Sequence, residues 1–428
     1  MMKKMLLAMA LAIGPQALYL HAQTVQLATD KQDGIYKAGE EVVFTIQAIE
    51  NEKPVAGKKI AYTLKTDGQK PVQEAVISTE EPLKLKSPLN KPGWTWVSVA
   101  LLDDAGKTVP KSQKQLGAMI APEEIRPGAE EPKDFDAFWA EQRKELDKVP
   151  VKATLSDAGI IKQGGQDYQC YDVKVDCVGL TPVSGYLTIP VNAKPETLKA
   201  MVSYHGAGVR SAAKIATPNA IRFDINAHGI INGQSAEFYQ NLNRDNLVGY
   251  PTRNPGDRNK FYFREMFLRI MRSLDYIKTR PEWDGKTLIV YGSSQGGAQA
   301  LVAAALDPQV TLSVSCVHAL SDHGGILAER ESGWPRLISL NKDGKAVNPK
   351  IAETAGYYDC ANFAKRIKAE TWMSAGLIDS TCVPTSVYAA YNSLPADTKK
   401  GIHVMPAKGH VAENIPGMKR IHEVLNSK

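Results

Sequence analysis

The segment Thr287-Leu-Ile-Val-Tyr-Gly-Ser-Ser-Gln-Gly-Gly297 decides the fold of the larger part of the chain. Residues 287–291 form a short apolar run typical of a buried strand, and residues 297–306 form a run of small residues that predicts a helix. Between them, residues 292–296 fit the pattern G-x-S-x-G, in which small residues on either side of a serine let a strand and a helix pack closely at a sharp turn. The segment therefore predicts a nucleophile elbow with Ser294 at its apex, against the alternative of a glycine-rich turn with an ordinary serine.

Strands and helices alternate on both sides of this segment. Apolar residues at helical spacing between Phe263 and Ile277 predict an amphipathic helix just before it. Further strands are predicted at residues 187–190, 200–204, 370–375 and 402–405. Such alternation is typical of a mostly parallel sheet with helices on both faces. We therefore expect residues 121–428 to form an α/β-hydrolase catalytic domain, with its catalytic groups at the C-terminal ends of strands.

The region before this domain has a different pattern, which predicts β structure alone. Short strand-like runs at residues 23–120 are separated by turn signals such as Thr66-Asp67-Gly68, and they indicate an immunoglobulin-like β-sandwich. A stretch rich in Pro, Gly and Glu at residues 121–132 marks the boundary. Trp94 and Trp96 either belong to the core of the sandwich, the commoner place for such residues, or line a sugar-binding face.

The start of the chain, residues 1–22, predicts a secretory signal peptide. Lys3 and Lys4 precede a mostly apolar run, and Ala22 offers a small residue for cleavage. The run is shorter than the roughly 20 residues that a spanning helix needs, so a membrane anchor is the less favoured alternative. No later stretch is long and apolar enough to span a membrane, and we expect an exported protein, periplasmic or secreted. The net charge of +6 comes from scattered basic residues, so nucleic acid is not an expected partner.

The five cysteines follow no zinc-binding spacing. Because their number is odd, at least one thiol stays unpaired if the others form disulfides. We expect mainly buried free cysteines, and the sequence does not decide whether one disulfide forms. The sequence predicts neither a metal site nor a cofactor.

A serine nucleophile requires a base, and several histidines follow Ser294 in the chain. The predicted fold places its triad in the order serine, acid, histidine. His403 lies within a predicted strand, His422 lies in a predicted terminal helix, and His318 and His323 follow the elbow too closely. His410 follows the last predicted strand on a loop, and it is the predicted base.

The predicted acid is Asp379, which lies just past the strand at residues 370–375. It would accept a hydrogen bond from His410, fix the tautomer of the ring and stabilise the imidazolium. Asp322, on the loop after the strand that follows the elbow, is the alternative acid. Chain order and placement favour Asp379.

An oxyanion needs two backbone N–H donors. The amide of Gln295, the residue after the nucleophile, is predicted to be one of them. The other is assigned to Ala207, because residues 205–208 follow a predicted strand and have the form H-G-x-G. His205 in that loop is interpreted as a structural histidine and not as a base.

Several segments together resemble the acetyl xylan esterase and cephalosporin C deacetylase family of carbohydrate esterases, over about residues 130–428. The matching segments are Asp134-Phe135-Asp136-Ala137-Phe138-Trp139, Gly185-Tyr186-Leu187, Ile189-Pro190, His205-Gly206, Gly233-Gln234, residues 292–297, Gly376-Leu377-Ile378-Asp379, Pro384 and Gly409-His410. The resemblance implies removal of acetyl groups from acetylated xylan or xylo-oligosaccharides by a triad of Ser294, Asp379 and His410. It also implies an oxyanion hole from the amides of Ala207 and Gln295, and a substrate contact at Gln234.

The chain departs from the family pattern in places that bear on substrate preference. Residues 232–234 are Asn-Gly-Gln where the family has Arg-Gly-Gln, Val411 replaces a glutamate, and Ala207 stands where an aromatic residue is common. The family typically forms a ring-like hexamer, but the N-terminal sandwich is not part of the usual family architecture. The sequence therefore leaves open whether this protein forms a homo-oligomer. The alternatives are a peptidase of the prolyl oligopeptidase type, an esterase for other acyl groups, or a non-catalytic sugar-binding protein.

Overall fold

The computed structural model describes residues 23–427 of the chain, and the predicted signal peptide at residues 1–22 lies outside the described residues. The described part contains a β-sandwich and a larger unit built on a mostly parallel sheet. The two units are in direct contact through a buried apolar cluster.

The N-terminal unit consists of two facing sheets. Its strands are β1 Gln23–Ala28, β2 Ile35–Tyr36, β3 Val43–Glu50, β4 Lys53–Pro54, β5 Lys59–Thr66, β6 Val72–Ile77, β7 Leu83–Lys86, β8 Gly93–Leu102 and β9 Lys114–Ile120. One sheet has the order β1-β3-β4 with β7 beside β3, and the other has the order β2-β9-β8-β5-β6. Along β5, Ile60, Tyr62 and Leu64 alternate with more exposed neighbours, which is the pattern of a strand with one face on a sandwich core.

The larger unit alternates helices and strands. Its elements are α1 Phe135–Asp147, β10 Ala153–Gln163, β11 Gln166–Val175, β12 Val183–Pro190, β13 Leu198–Tyr204, β14 Ala220–Ile225, α2 Ala236–Arg244, α3 Phe263–Ile277, β15 Trp283–Ser293, α4 Gln295–Leu306, β16 Leu312–Cys316, α5 Pro349–Tyr357, α6 Cys360–Ala364, β17 Glu370–Gly376, α7 Pro384–Ser393, β18 Lys400–Met405 and α8 Ile415–Asn426. Short 3-10 turns lie at Pro122–Glu124, Tyr250–Thr252 and Gly325–Ala328.

The central sheet has the strand order β10-β11-β12-β14-β13-β15-β16-β17-β18 in the described residues. The strands from β14 to β18 are parallel, and β10, β11 and β12 are paired antiparallel at the other edge. Chain order is followed except at β13 and β14, whose positions are exchanged. Every strand that was predicted from the sequence for this unit is present.

Helices cover both faces of this sheet, so its central strands are buried on both sides, as the fully buried β16 illustrates. The apolar stripe of α3 and the small residues of α4 pack on one face, where Phe267, Ile270 and Leu301 are fully buried. The C-terminal helix α8 covers the other face through Ile421 and Leu425. The predicted α/β-hydrolase fold is confirmed, and it places the ends of β15, β17 and β18 at one edge.

The apolar cluster between the two units, here called the interface cluster, joins Trp94 and Met119 of the sandwich to Leu377, Val383 and Tyr388 of the larger unit. Trp94 has no exposed surface, so it belongs to a buried core and not to a sugar-binding face. Trp96, on the same strand, is half-buried and packs against this cluster.

The cysteines are all free thiols in this structure. Cys177 is half-buried, and Cys170, Cys316, Cys360 and Cys382 are buried. None of the helices within residues 23–427 has the length and apolar character needed to cross a membrane.

Candidate active site

Ser294 lies at a strained turn between β15 and α4. Its φ is 58° and its ψ is −124°, a conformation that costs a non-glycine residue on the order of 1–3 kcal/mol. Three backbone hydrogen bonds hold it: Ser294 N donates to the Cys316 carbonyl at 2.9 Å, and the Ser294 carbonyl accepts from Ala298 N at 3.1 Å and Ala319 N at 3.0 Å. The side chain is half-buried, so the apex of the turn is open to a ligand.

The glycines on either side of Ser294 are required by close backbone contacts. A Cβ on Gly292 would lie 2.1 Å from the Gly296 carbonyl oxygen, and a Cβ on Gly296 would lie 2.1 Å from the Tyr204 carbonyl oxygen. Only glycine fits at these distances, because the atoms met are backbone and cannot move aside. The G-x-S-x-G spacing therefore follows from the packing of α4 against β15 and β13.

Asp379 and His410 form a hydrogen-bonded pair after β17 and β18. His410 Nδ1 lies 2.7 Å from Asp379 Oδ2. The Asp379 side chain is fully buried, whereas 32% of the His410 side chain is exposed. The second carboxylate oxygen, Oδ1, accepts hydrogen bonds from Thr381 N at 2.8 Å and Cys382 N at 3.0 Å. The carboxylate is thus fixed in the orientation that directs His410 Nε2 outward.

Cys382 contacts both the elbow and the Asp379–His410 pair. Burial raises the pKa of the Cys382 thiol well above its ordinary value, and the nearby Ser294 side chain opposes that shift. The Cys382 backbone in turn donates to Asp379, so one residue contacts both the predicted nucleophile and the predicted acid. No hydrogen bond joins the Ser294 hydroxyl to the His410 ring among the described residues; such bonds are often long in the absence of substrate.

The alternative acid is engaged elsewhere, and the alternative bases His318 and His323 are buried with no hydrogen-bond partner for their ring nitrogens in the described residues. Asp322 is buried, lies 2.7 Å from Arg330 and accepts a 2.6 Å hydrogen bond from Gly128 N. Burial lowers the pKa of His318 to about 3 and that of His323 to about 4. The His403 ring, on β18, lies 3.5 Å from Glu413. Of the candidate acids, Asp379 is the one bonded to His410.

The loop at residues 205–208 lies against the nucleophile. A Cβ on Gly206 would be 3.5 Å from Ser294 Cβ, so the Ala207 backbone is adjacent to the elbow. Ala207 is exposed, and no backbone group accepts a hydrogen bond from its N–H in the described part of the chain. Gln295 is the first residue of α4, where an N–H group has no intrahelical acceptor. Both predicted oxyanion donors therefore lie beside Ser294.

Tyr250 braces the two predicted oxyanion segments, and no sequence pattern points to it. Its hydroxyl donates to Gln295 Oε1 at 2.7 Å and accepts from Gly208 N at 3.4 Å. Burial raises the pKa of Tyr250 to about 12, so the phenol stays protonated and can donate. His228 Nε2 lies 3.2 Å from the Gly208 carbonyl and supports the same loop.

His205 has both ring nitrogens bonded within the fold. Nδ1 lies 2.7 Å from the Gly206 carbonyl, and Nε2 accepts from Ala227 N at 3.2 Å. Burial lowers the pKa of His205, so the ring is neutral and donates through Nδ1. This is the arrangement of a structural histidine.

A polar cleft adjoins the oxyanion loop. Its volume is about 470 Å³, and its lining includes Gly208, Arg210 and Gln234. Gln234 Nε2 donates to the Asn232 carbonyl at 3.2 Å, and the Arg210 guanidinium lies 3.9 Å from the Cβ position of Gly206. A larger cavity, of about 860 Å³, lies between the sandwich and residues 326–340; we place the site at the smaller one because Gly208 in its lining belongs to the loop that lies against Ser294.

Asn232, at the position of the family's arginine, is a buried structural residue. Its side-chain amide donates to Ser184 at 2.9 Å and to Asp172 at 3.2 Å, and its carbonyl oxygen accepts from Ala212 N at 3.0 Å. The presence of asparagine in place of the family's arginine therefore changes a residue that packs beneath the cleft. Gln234 still lines the cleft.

Taken together, a strained serine, a carboxylate–imidazole pair and two free N–H donors lie at one edge of a parallel sheet. This constellation is suited to acyl transfer through a covalent serine intermediate. Within residues 23–427, no group of three or more His, Cys, Asp or Glu side chains could hold a metal ion.

Comparison with known proteins identifies relatives of both units. A curated relative, acetyl esterase Axe7A of Xylanibacter ruminicola, is 29% identical over 416 residues, which cover 92% of this chain and 90% of that protein. Because so much of the chain is aligned, most of the sandwich is shared with that relative.

Two solved structures are similar to most of the chain. An acetyl xylan esterase from Paenibacillus sp. R4 has 26% identity and a TM-score of 0.56, covering 71% of this chain and 97% of its own. Acetyl xylan esterase 1 from Thermoanaerobacterium sp. JW/SL YS485 has 25% identity and a TM-score of 0.55, covering 72% and 98%. A sequence profile of the acetyl xylan esterase family (AXE1) matches residues 121–425, well over half of the chain. The chain therefore belongs to the acetyl xylan esterase family.

Proposed function

We propose that this protein is a serine esterase that removes acetyl groups from acetylated carbohydrates, namely xylan or xylo-oligosaccharides, through an acetyl-Ser294 intermediate. The observation that carries the proposal is the 2.7 Å hydrogen bond between His410 and Asp379, on loops that end at the same sheet edge as the elbow. Membership of the acetyl xylan esterase family and the names of the relatives support the acetyl group and the carbohydrate.

The proposed reaction has two halves. Ser294 Oγ attacks the acetyl carbonyl carbon while His410 Nε2 takes its proton, and Asp379 stabilises the imidazolium. The tetrahedral oxyanion accepts hydrogen bonds from the Ala207 and Gln295 amides, and the sugar oxygen leaves with the proton from His410. Water then attacks the acetyl-enzyme by the same route, which releases acetate and restores the serine.

The polar cleft beside the oxyanion loop supports a sugar as the leaving group. Gln234 and Arg210 offer N–H donors there, and hydroxyl-rich ligands are oriented by a few such groups. Gln234 remains a proposed substrate contact.

The test of this proposal measures acetate release from acetylated xylo-oligosaccharides, with feruloylated sugar and a prolyl peptide substrate as comparisons. We expect acetate release to exceed the other activities by at least about a hundredfold in kcat/KM, since a differential contact of a few kcal/mol suffices. An alkyl fluorophosphonate should label Ser294. Preferential peptide cleavage would point to the peptidase alternative, and absence of labelling would contradict the serine mechanism.

Two further proposals rest on the sequence. Export by a signal peptide at residues 1–22 is supported by the basic start, the apolar run and Ala22; N-terminal sequencing of protein from a periplasmic or culture fraction tests it. A homo-oligomer is implied only by the family resemblance, and light scattering of the purified protein tests that.

A further inference from the structure

The sandwich contacts both loops that carry the acid–base pair. Trp94 Nε1 donates a hydrogen bond to the Leu377 carbonyl, and Leu377 lies two positions before Asp379. Gly117 N, on β9, donates a 2.8 Å hydrogen bond to the carbonyl of Pro406, which lies four positions before His410. The sandwich therefore holds one backbone carbonyl on each loop.

These contacts leave no space for movement of the acid loop toward the sandwich. A Cβ on Gly117 would lie 2.0 Å from the Leu377 carbonyl oxygen, so strand β9 and the loop touch through their backbones. Trp94, Met119 and Leu377 are fully buried in the interface cluster. Close packing of this kind transmits a displacement of one partner to the other.

The two loops are also bonded to each other. Leu377 N donates to the Met405 carbonyl at 2.9 Å, and Ile378 N donates to the Lys408 carbonyl at 3.2 Å. A shift of the Leu377 carbonyl would therefore change the position of His410 as well as that of Asp379.

The Ser294 elbow, in contrast, takes its backbone support from the larger unit alone. Its three backbone hydrogen bonds involve Cys316, Ala298 and Ala319. A disturbance at the sandwich contact is therefore expected to reach the acid–base pair before it reaches the nucleophile.

We propose that the sandwich positions the Asp379–His410 pair, and that Trp94 and Gly117 are the positioning residues through which it acts. The inference rests on the proposed function, because it concerns the same triad. It gives the N-terminal unit a role in the rate of the reaction and not in the capture of sugar.

The test compares Trp94→Phe with Trp96→Phe. Trp94→Phe keeps an aromatic ring in the interface cluster and removes the donor to Leu377. Trp96 Nε1 is buried without a hydrogen-bond partner in the described residues. Trp96→Phe is therefore the same change of side chain, and it removes an indole N–H that makes no hydrogen bond. Each substitution is made in the wild-type enzyme and in the Asp379→Asn enzyme, and kcat and KM are measured on an activated acetyl ester.

We expect Trp94→Phe to lower kcat by about tenfold in the wild-type enzyme, with KM changed by less than about twofold because the polar cleft is untouched. In the Asp379→Asn enzyme the same substitution should lower kcat by less than about twofold, since residues that act through one another are not additive. Trp96→Phe should change neither constant. An equal loss in both backgrounds, or a rise in KM alone, would overturn the proposal.

A second variant covers the case in which Trp94→Phe does not fold. Gly117→Ala pushes directly on the Leu377 carbonyl, and Gly256→Ala, where a Cβ meets side-chain atoms only at 3.8 Å, is its control. The same non-additivity with Asp379→Asn is expected for Gly117→Ala, and additive losses would count against the proposal.

Failure of the proposed function gives a different result. If Asp379→Asn retains wild-type kcat, the triad itself is wrong. If Asp379→Asn loses most of its kcat and Trp94→Phe keeps the wild-type kcat, the proposed triad is supported and the positioning role of the sandwich is wrong.

Discussion

The elbow around Ser294 and the loops that carry Asp379 and His410 meet at one sheet edge, but different parts of the chain hold them. The elbow is strained, and it is stabilised by glycines and backbone bonds from neighbouring strands and from α4. The acid–base loops have local support of the same kind, from a close contact between Gly376 and the Gly409 carbonyl oxygen and from backbone bonds between the two loops, and they contact the sandwich in addition. The support of the elbow thus lies wholly within the larger unit, whereas the geometry of the acid–base loops also depends on the sandwich.

Removal of the nucleophile should give the largest effect. Ser294→Ala is expected to lower kcat on an acetyl ester by on the order of a million-fold, because a triad does not function without its serine. Far-UV circular dichroism and thermal unfolding serve as controls for the fold. A loss of only a few fold in kcat would mean that the elbow is a structural turn and that Ser294 does not act together with the acid–base loops.

The next largest effect separates the two candidate acids. Asp379→Asn should lower kcat by roughly ten-thousand-fold, because His410 loses the partner that sets its tautomer. Asp322→Asn should leave kcat per folded molecule near wild type and lower the free energy of unfolding by on the order of 1–3 kcal/mol, since it weakens a buried contact with Arg330. Kinetics and urea unfolding on both variants check this, and a crippled Asp322→Asn would reverse the assignment.

A pair of glycine substitutions compares the tightness of the two regions. Gly296→Ala places a Cβ 2.1 Å from the Tyr204 carbonyl oxygen, whereas a Cβ on Gly409, beside His410, would lie 3.5 Å from its nearest neighbour. We expect Gly296→Ala to lower the free energy of unfolding by about 3 kcal/mol or more and Gly409→Ala to change it by less than about 1 kcal/mol. Similar values from urea unfolding would contradict the view that the backbone around Gly296 is sterically tighter than the backbone around Gly409.

The smallest effect concerns the brace of the oxyanion loop. Tyr250→Phe removes the hydroxyl that contacts Gln295 and Gly208, and it should lower kcat by about tenfold with little change in KM. Tyr168→Phe is the control, because the Tyr168 hydroxyl bonds to Gln166 at 3.1 Å, on the same strand and apart from the oxyanion loop. Unchanged kcat in Tyr250→Phe would show that the two oxyanion segments need no brace between them.

The sequence predicts the elbow well because its constraint is local. Gly292 follows from the close approach of the consecutive elements β15 and α4, and Gly296 follows from the contact of α4 with β13; both requirements leave a pattern within five residues. His410 and Asp379 were predicted by a weaker argument, the order of elements along the chain, and the hydrogen bond between them supports it.

The remaining features leave no pattern in the sequence. Tyr250 contacts Gln295 across 45 positions, and Trp94 contacts Leu377 across 283, so no periodicity or spacing relates them. Asp134 illustrates a local rule that fails. An aspartate directly before a helix is a favoured N-cap, yet the Asp134 side chain makes no capping bond to α1 and instead accepts from Arg258 at 2.7 Å and from Tyr357. A short-range pattern cannot indicate that a distant cation will take the carboxylate.

The link between Trp94 and Leu377 also has a consequence for biosynthesis. The ribosome releases the sandwich first and the two loops close to last, and domains of growing chains generally fold in that order. The pair of loops then settles on a surface that was completed hundreds of residues earlier. We expect the newly made chain to lack esterase activity until that late docking takes place, because these loops carry the predicted acid and base.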